Sequence, residues 1–150
     1  MRPGVAMAMP FALPDPTTEF GARVTRRLDE SVVAWLTIVD AAGTPQPAPV
    51  WFVWDGETAL VHSHGEARRR THLRANPKVA LHLDSDEGGD VIVLTGNAEV
   101  DATAPPMHGN PAYVAKYGER IAAESWQTPE NFAAIYSVPV RFRPQRVRGH

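Results

Sequence analysis

Three prolines alternate with other residues in the segment Pro45-Gln46-Pro47-Ala48-Pro49, and this pattern restricts the fold more than any other in the chain. Successive residues of a strand present their backbone groups to opposite lateral sides, and proline has no N–H to give. One whole side of this strand therefore lacks donors. A neighbouring strand cannot pair there, so the segment must lie at a sheet edge. Two uses of such an edge stand side by side: protection against aggregation, or one border of a groove that accepts a flat ring.

The surrounding pattern supplies the rest of the sheet. Residues 32–39 (VVAWLTIV) are β-branched and aromatic, as a buried strand requires. The turn DAAGT leads into a second strand over 45–54, with Val50, Phe52 and Trp54 on one face. A turn at DGE precedes a third strand at 58–64, strands four and five follow at 78–84 and 90–100, and a sixth closes the chain at 137–149. Turns this short between strands mean antiparallel pairing. Helices are predicted after Thr17 or Thr18, with Phe20, Val24 and Leu28 as the apolar stripe, and over roughly 67–75. Two more start at Asn110–Pro111 and Thr128–Pro129, where a capping side chain precedes proline. The expected architecture is mainly β, a six-stranded antiparallel barrel with peripheral helices. Residues 1–16, broken by prolines, read as a flexible arm, and 17–150 as one domain.

Composition excludes several functions. A net charge of −2 over 150 residues argues against a general nucleic-acid or membrane-surface binder. No apolar run reaches membrane-spanning length. The absence of cysteine removes disulfides, thiolate nucleophiles and Cys-ligated zinc, and suits the cytoplasm. Four tryptophans and sparsely charged strands leave apolar surface that a two-fold dimer would cover.

Positive charge is concentrated in the segment HSHGEARRRTHLRANP, residues 62–77. With Arg68 at zero on a helical wheel, Arg69 lies at about 100° and Leu73 at about 140°, whereas Arg70 and Arg74 lie at about 200° and 240°. Leu73 marks the buried direction, so Arg69 points toward the sheet and Arg70 and Arg74 toward water. An arginine beside a buried leucine needs an acceptor. Ser63, His64 and Gly65 at the helix start offer backbone N–H groups, and Ser63 and Arg69 together could hold a phosphate. The alternative is that all four arginines are solvated or pair with Glu66, Asp84 and Asp86.

The block from GTPQPAPVWFVWDG to ARRRTHLRANPKVALHLD resembles the pyridoxamine 5'-phosphate oxidase-like split-barrel family, within it the actinobacterial branch that uses the deazaflavin coenzyme F-420. The resemblance rests on Gly43–Gln46 before a strand and on His72–Leu81 closing the basic segment, and it spans roughly residues 32–100. It implies a split barrel that dimerises, with a phosphorylated cofactor at the subunit interface. The family's phosphate-holding basic residue falls on Arg69. The ring would pack along Pro49, Val50 and Trp51, with His62, Ser63, Arg68, Thr71 and His72 completing the contacts. Thr71 stands where a second basic residue is common, and His72 where asparagine is common. Trp51 lies on the opposite face from Val50 and Phe52 and could equally be core or dimer packing. The implied activity is hydride transfer between F-420 and a small unsaturated or conjugated-carbonyl acceptor. The alternatives are FMN as cofactor, or a binding protein for a flavin or tetrapyrrole without turnover. No catalytic side chain is assigned; His62 and Tyr117 are the candidates for a proton donor.

His62 and His64 have a spacing that can chelate metal, but a metal site needs a further ligand. Only His82, on the following strand, could supply it, so no metal site is expected. Asp84, Asp86, Glu87 and Asp90 miss the spacing of a calcium loop and read as solvated turn residues.

Overall fold

The structure, a computed structural model, describes residues 11–124 and 126–150. The first ten residues of the predicted arm lie outside that range. Within it, Leu13 packs against the core and the Asp15 carboxylate accepts a hydrogen bond from the Thr17 N–H (2.8 Å). Helix α1 (Glu19–Glu30) follows, with Thr18 as its cap: the side-chain oxygen accepts from the Gly21 N–H at 3.0 Å. Val24 and Leu28 on its inner face are fully buried.

One seven-stranded antiparallel sheet forms the body. Its strands are β1 (Ala34–Val39), β2 (Pro45–Val50), β3 (Val53–Trp54), β4 (Ala59–Ser63), β5 (Lys78–Leu83), β6 (Ile92–Val100) and β7 (Val138–Gly149). They are ordered β2-β1-β5-β6-β7-β4-β3. The first and last strands of this order are consecutive in the chain, joined only by Trp51 and Phe52. The sheet must therefore curl until its two margins meet, which makes a split barrel. Alternate residues of β1, β5 and β6 point inward, and Leu36, Leu81, Ile92, Leu94, Val140 and Phe142 fill the interior with no exposure above 0%. No helix among the described residues is long and apolar enough to cross a membrane.

Strand β2 lies at the sheet margin, as its prolines demand. Trp35, Thr37 and Val39 stand opposite Pro49, Pro47 and Pro45. These are the pairs that exchange no backbone hydrogen bonds, so the proline carbonyls face away from β1. The bare edge is a row of acceptors without a donor.

The expected second strand over 45–54 is broken in two, which raises the strand count from six to seven. Helix α3 (Pro111–Ala123) causes the break. The Tyr117 hydroxyl accepts from the Phe52 N–H (2.9 Å) and donates its proton to the Val32 carbonyl (2.7 Å). Lys116 Nζ donates to the Phe52 carbonyl at 2.9 Å and sits 4.0 Å from the centre of the Phe52 ring. Side chains have taken the backbone groups that a continuous strand would have used. Tyr117→Phe should cost about 1–2 kcal/mol, because a buried N–H loses its acceptor; urea unfolding measures it.

Helix α2 (Arg69–Ala75) and helix α4 (Pro129–Ile135) complete the fold, with a 3-10 turn at Met107–Gly109. The Asn110 and Thr128 side chains cap α3 and α4, accepting from the Tyr113 and Asn131 N–H groups, and proline opens each helix. Asp90, expected in solvent, instead pairs with Arg23 at 3.1 Å and with Arg27 of α1, while the Trp35 indole N–H donates to Asp84 at 3.1 Å.

Candidate functional site

A cavity of about 320 Å³ opens beside the margin of β2. Pro49 and Val50 of β2 form one wall, with Trp51 where the sheet margins meet. His62 of β4, Ala67 just before α2 and Arg69 at its start also line it. Four aromatic rings roof it: Tyr113 from α3, Trp126 before α4, Phe132 on α4 and Tyr136 at its end.

Arg69 is the half-buried charge of this lining. Its guanidinium donates to the Ser63 hydroxyl at 2.9 Å, and burial lowers its pKa by stripping water from the charge. Arginine remains charged at neutral pH all the same. Among the described residues none of Arg68, Arg69, Arg70 and Arg74 forms an ion pair, so pairing with Glu66, Asp84 or Asp86 does not occur. Ser63 is 1% exposed. It accepts from the guanidinium and is not among the residues that line the cavity. The expected anion site at the helix start is also absent: α2 begins at Arg69, a turn separates it from Ser63, and the Gly65 N–H is spent on the Ile135 carbonyl at 3.0 Å.

Arg69 and Ala67 also border a second groove of about 440 Å³, which continues along β2 past Pro47 and Gln46 and is lined by the basic residues Arg68 and His72 and by the Asp40 carboxylate. Two grooves thus meet at one guanidinium. Thr71 lines neither and is exposed, since it lies about 200° around the helix from Arg69.

His62 is 6% exposed, its Nε2 has no hydrogen-bond partner, and its ring stands edge-on to Tyr113 at 4.9 Å. Desolvation lowers its pKa to about 4, so the imidazole is neutral at physiological pH. His64 lies past the end of β4, exposed, with its ring edge-on to Tyr136. His82 cannot join them: β5 and β4 are separated by β6 and β7 in the sheet. Among the described residues no three His, Asp or Glu side chains are grouped to hold a metal.

Trp51 stacks parallel on Tyr117 at 4.6 Å and on Phe132 at 5.6 Å. The protein's own rings engage the indole, which leaves its edge and backbone for the cavity. Tyr117 does not line the cavity; its hydroxyl is locked at the strand break. Tyr113 takes that place, its hydroxyl 3.4 Å from the Trp51 carbonyl. Burial pushes both tyrosine pKa values up, so neither ionises. Sequence reasoning missed the roof of Tyr113, Trp126, Phe132 and Tyr136. The available signal was two aromatic pairs four residues apart, Tyr113–Tyr117 and Phe132–Tyr136, each aligned on one helical face.

A curled antiparallel sheet with a groove at its split margin defines the class of small split-barrel proteins. Residues 20–148 match the family model described as pyridoxamine 5'-phosphate oxidase, and the chain belongs to that family. Among solved structures it is similar to an F-420 reductase, with 25% identity and a TM-score of 0.59 over 82% of this chain and 94% of that one. Two others share the fold. One is described as a pyridoxamine 5'-phosphate oxidase from Listeria innocua, at 20% identity and a TM-score of 0.58 over 85% and 94% of the two chains. The other is HutZ, a heme storage protein from Vibrio cholerae, at 18% identity and a TM-score of 0.64 over 88% and 95%. No curated protein matches the chain.

Proposed function

We propose that this chain is an oxidoreductase that binds coenzyme F-420 and transfers hydride to a small unsaturated or conjugated-carbonyl acceptor. The observation that carries the reading is Arg69: a half-buried guanidinium with no carboxylate partner, steadied by Ser63, where two grooves meet. The volume of the first groove falls at the lower end of ligand pockets, room for a fused-ring system without its tail. The ring fits the first groove, against Pro49, Val50 and Trp51. A phosphorylated tail fits the second, with Arg68 and His72 beside it. The carbonyl edge of β2 accepts from ring N–H groups, and Arg69 meets the phosphate between the two. Bound F-420 supplies the hydride chemistry, and the protein supplies position and electrostatics. The aromatic roof excludes water. His62 above pH 4 has already lost its proton and Tyr113 keeps its own, so both orient ligand atoms and neither is an acid at neutral pH.

The second reading keeps the site and changes the cofactor to FMN, whose phosphate would engage the same guanidinium. A tetrapyrrole is less well suited, because its macrocycle is far wider than a three-ring system and the cavity within one chain is small. Pro45, Pro47 and Pro49 are exposed along the margin of β2, which supports a homodimer in which a second copy covers that side.

Fluorescence titration of purified protein with F-420 and with FMN ranks the cofactors, and F-420 is expected to bind more tightly. Reduced F-420 should then be reoxidised by at least one member of a panel of enones and quinones. Tight binding with no turnover would replace the enzyme by a carrier. Light scattering should give a dimer with one cofactor bound per chain.

A further inference from the structure

Lysine is scarce in this chain: Lys78 and Lys116 are the only two. Lys78 is exposed on β5. Lys116 is half-buried on α3, against the joint at Trp51 and Phe52. Its Nζ lies 4.0 Å from the centre of the Phe52 ring and 5.3 Å from that of Tyr117, both fully buried residues. The amine donates to the Phe52 carbonyl at 2.9 Å, and it forms no ion pair among the described residues.

Ring faces and a carbonyl attract an ammonium, but neither carries the full charge that would replace lost water. Desolvation lowers the Lys116 pKa to about 8, against a weaker opposing pull from Asp29 near the end of α1. At about pH 7.5, roughly a quarter of such amines are neutral, whereas an ordinary lysine leaves only about one in a thousand so. A neutral amine is a nucleophile. Reagents have a way in, because Ala112, Glu119 and Arg120, one turn along α3 on either side, are exposed.

We propose that Lys116 is an acylation site for small acyl phosphates, and that the acyl group loosens the joint. The amine lone pair attacks the acyl carbon and a C–N bond forms. The C–O bond to phosphate breaks, phosphate leaves with the electron pair, and the amine's surplus proton passes to water. The product amide has lost the charge that the two ring faces attract, and its added atoms need room beside Phe52. Because Trp51 lines the ring groove, the modification acts at the groove's margin. The site needs no cofactor and so stands or falls separately from the oxidoreductase reading.

The test treats cofactor-free protein with acetyl phosphate at about pH 7.5 and follows each lysine by peptide mass spectrometry. Lys116 should be acetylated about tenfold faster than Lys78, or more. In denaturing urea the preference should vanish, since both amines are then solvated. Acetylation of Lys116 should lower the urea midpoint of unfolding, whereas Lys116→Arg, treated alike, should keep its own. Equal rates in the folded protein, a preference that survives in urea, or an unchanged midpoint once Lys116 is acetylated would each overturn the proposal.

Discussion

Arg69→Ala is expected to weaken binding of the phosphorylated cofactor by one to two orders of magnitude, about 1.5–3 kcal/mol, the range for a lost charge-assisted contact. Burial raises this value above that of a surface arginine. The side chain has already surrendered part of its hydration and holds only the Ser63 hydroxyl, so a phosphate meets a charge that water no longer screens well. Arg74 lies on the exposed side of the same seven-residue helix, and Arg74→Ala should leave affinity within twofold of the native value, roughly the effect of one solvated charge. Arg69→Lys should fall between them, because an ammonium cannot bridge a serine and a phosphate with a planar fork. The same fluorescence titrations read all three variants. Equal losses for Arg69→Ala and Arg74→Ala would show that overall charge, and not position, governs affinity.

Acidification should destabilise the protein in two separate steps, the first belonging to His62. Its pKa is about 4 in the folded state, against an ordinary value of 6.5. Above pH 6.5 the imidazole is neutral in both states and carries no penalty. As pH falls from 6.5 toward 4, the unfolded chain takes up a proton that the buried ring refuses, so stability declines over that window. The full difference corresponds to about 3 kcal/mol. Below pH 4 the native ring also protonates and this loss levels off. Asp101 then takes over. Hydrogen bonds from the Thr103 hydroxyl and from Arg141 hold its carboxyl at about 2, so its contribution disappears as pH falls from the ordinary carboxylate range toward 2. Urea midpoints measured at pH 7, 4.5 and 3 separate the steps. His62→Gln should flatten the first and spare the second.

Local chemistry made much of the fold legible before any coordinates. The proline alternation placed β2 at a margin, because a missing N–H is a fact about one residue type. The caps at Thr18, Asn110 and Thr128 followed from the same kind of local rule. Arg69 could be singled out because one leucine fixed the inward direction of a short helix. The break at Trp51–Phe52 could not be seen, since the group that causes it, the Tyr117 hydroxyl, lies 65 residues downstream of Phe52. The roof over the cavity was hidden for a related reason: periodicity shows that α3 and α4 each have an aromatic face but not which surface that face meets. That two strands separate His82 from the His62–His64 pair was likewise hidden, because strand order is not sequence order.

The joint at Trp51 and Phe52 has a mechanical consequence. Two residues tie together the opposite ends of a seven-stranded sheet, and one tyrosine oxygen latches the amide between them. Parting the barrel along its slit strains that latch first, which makes the deuterium uptake of a single amide, that of Phe52, a gauge of how often the slit gapes. A ligand lodged beside the joint would slow that uptake while amides at the far side of the sheet kept their own pace.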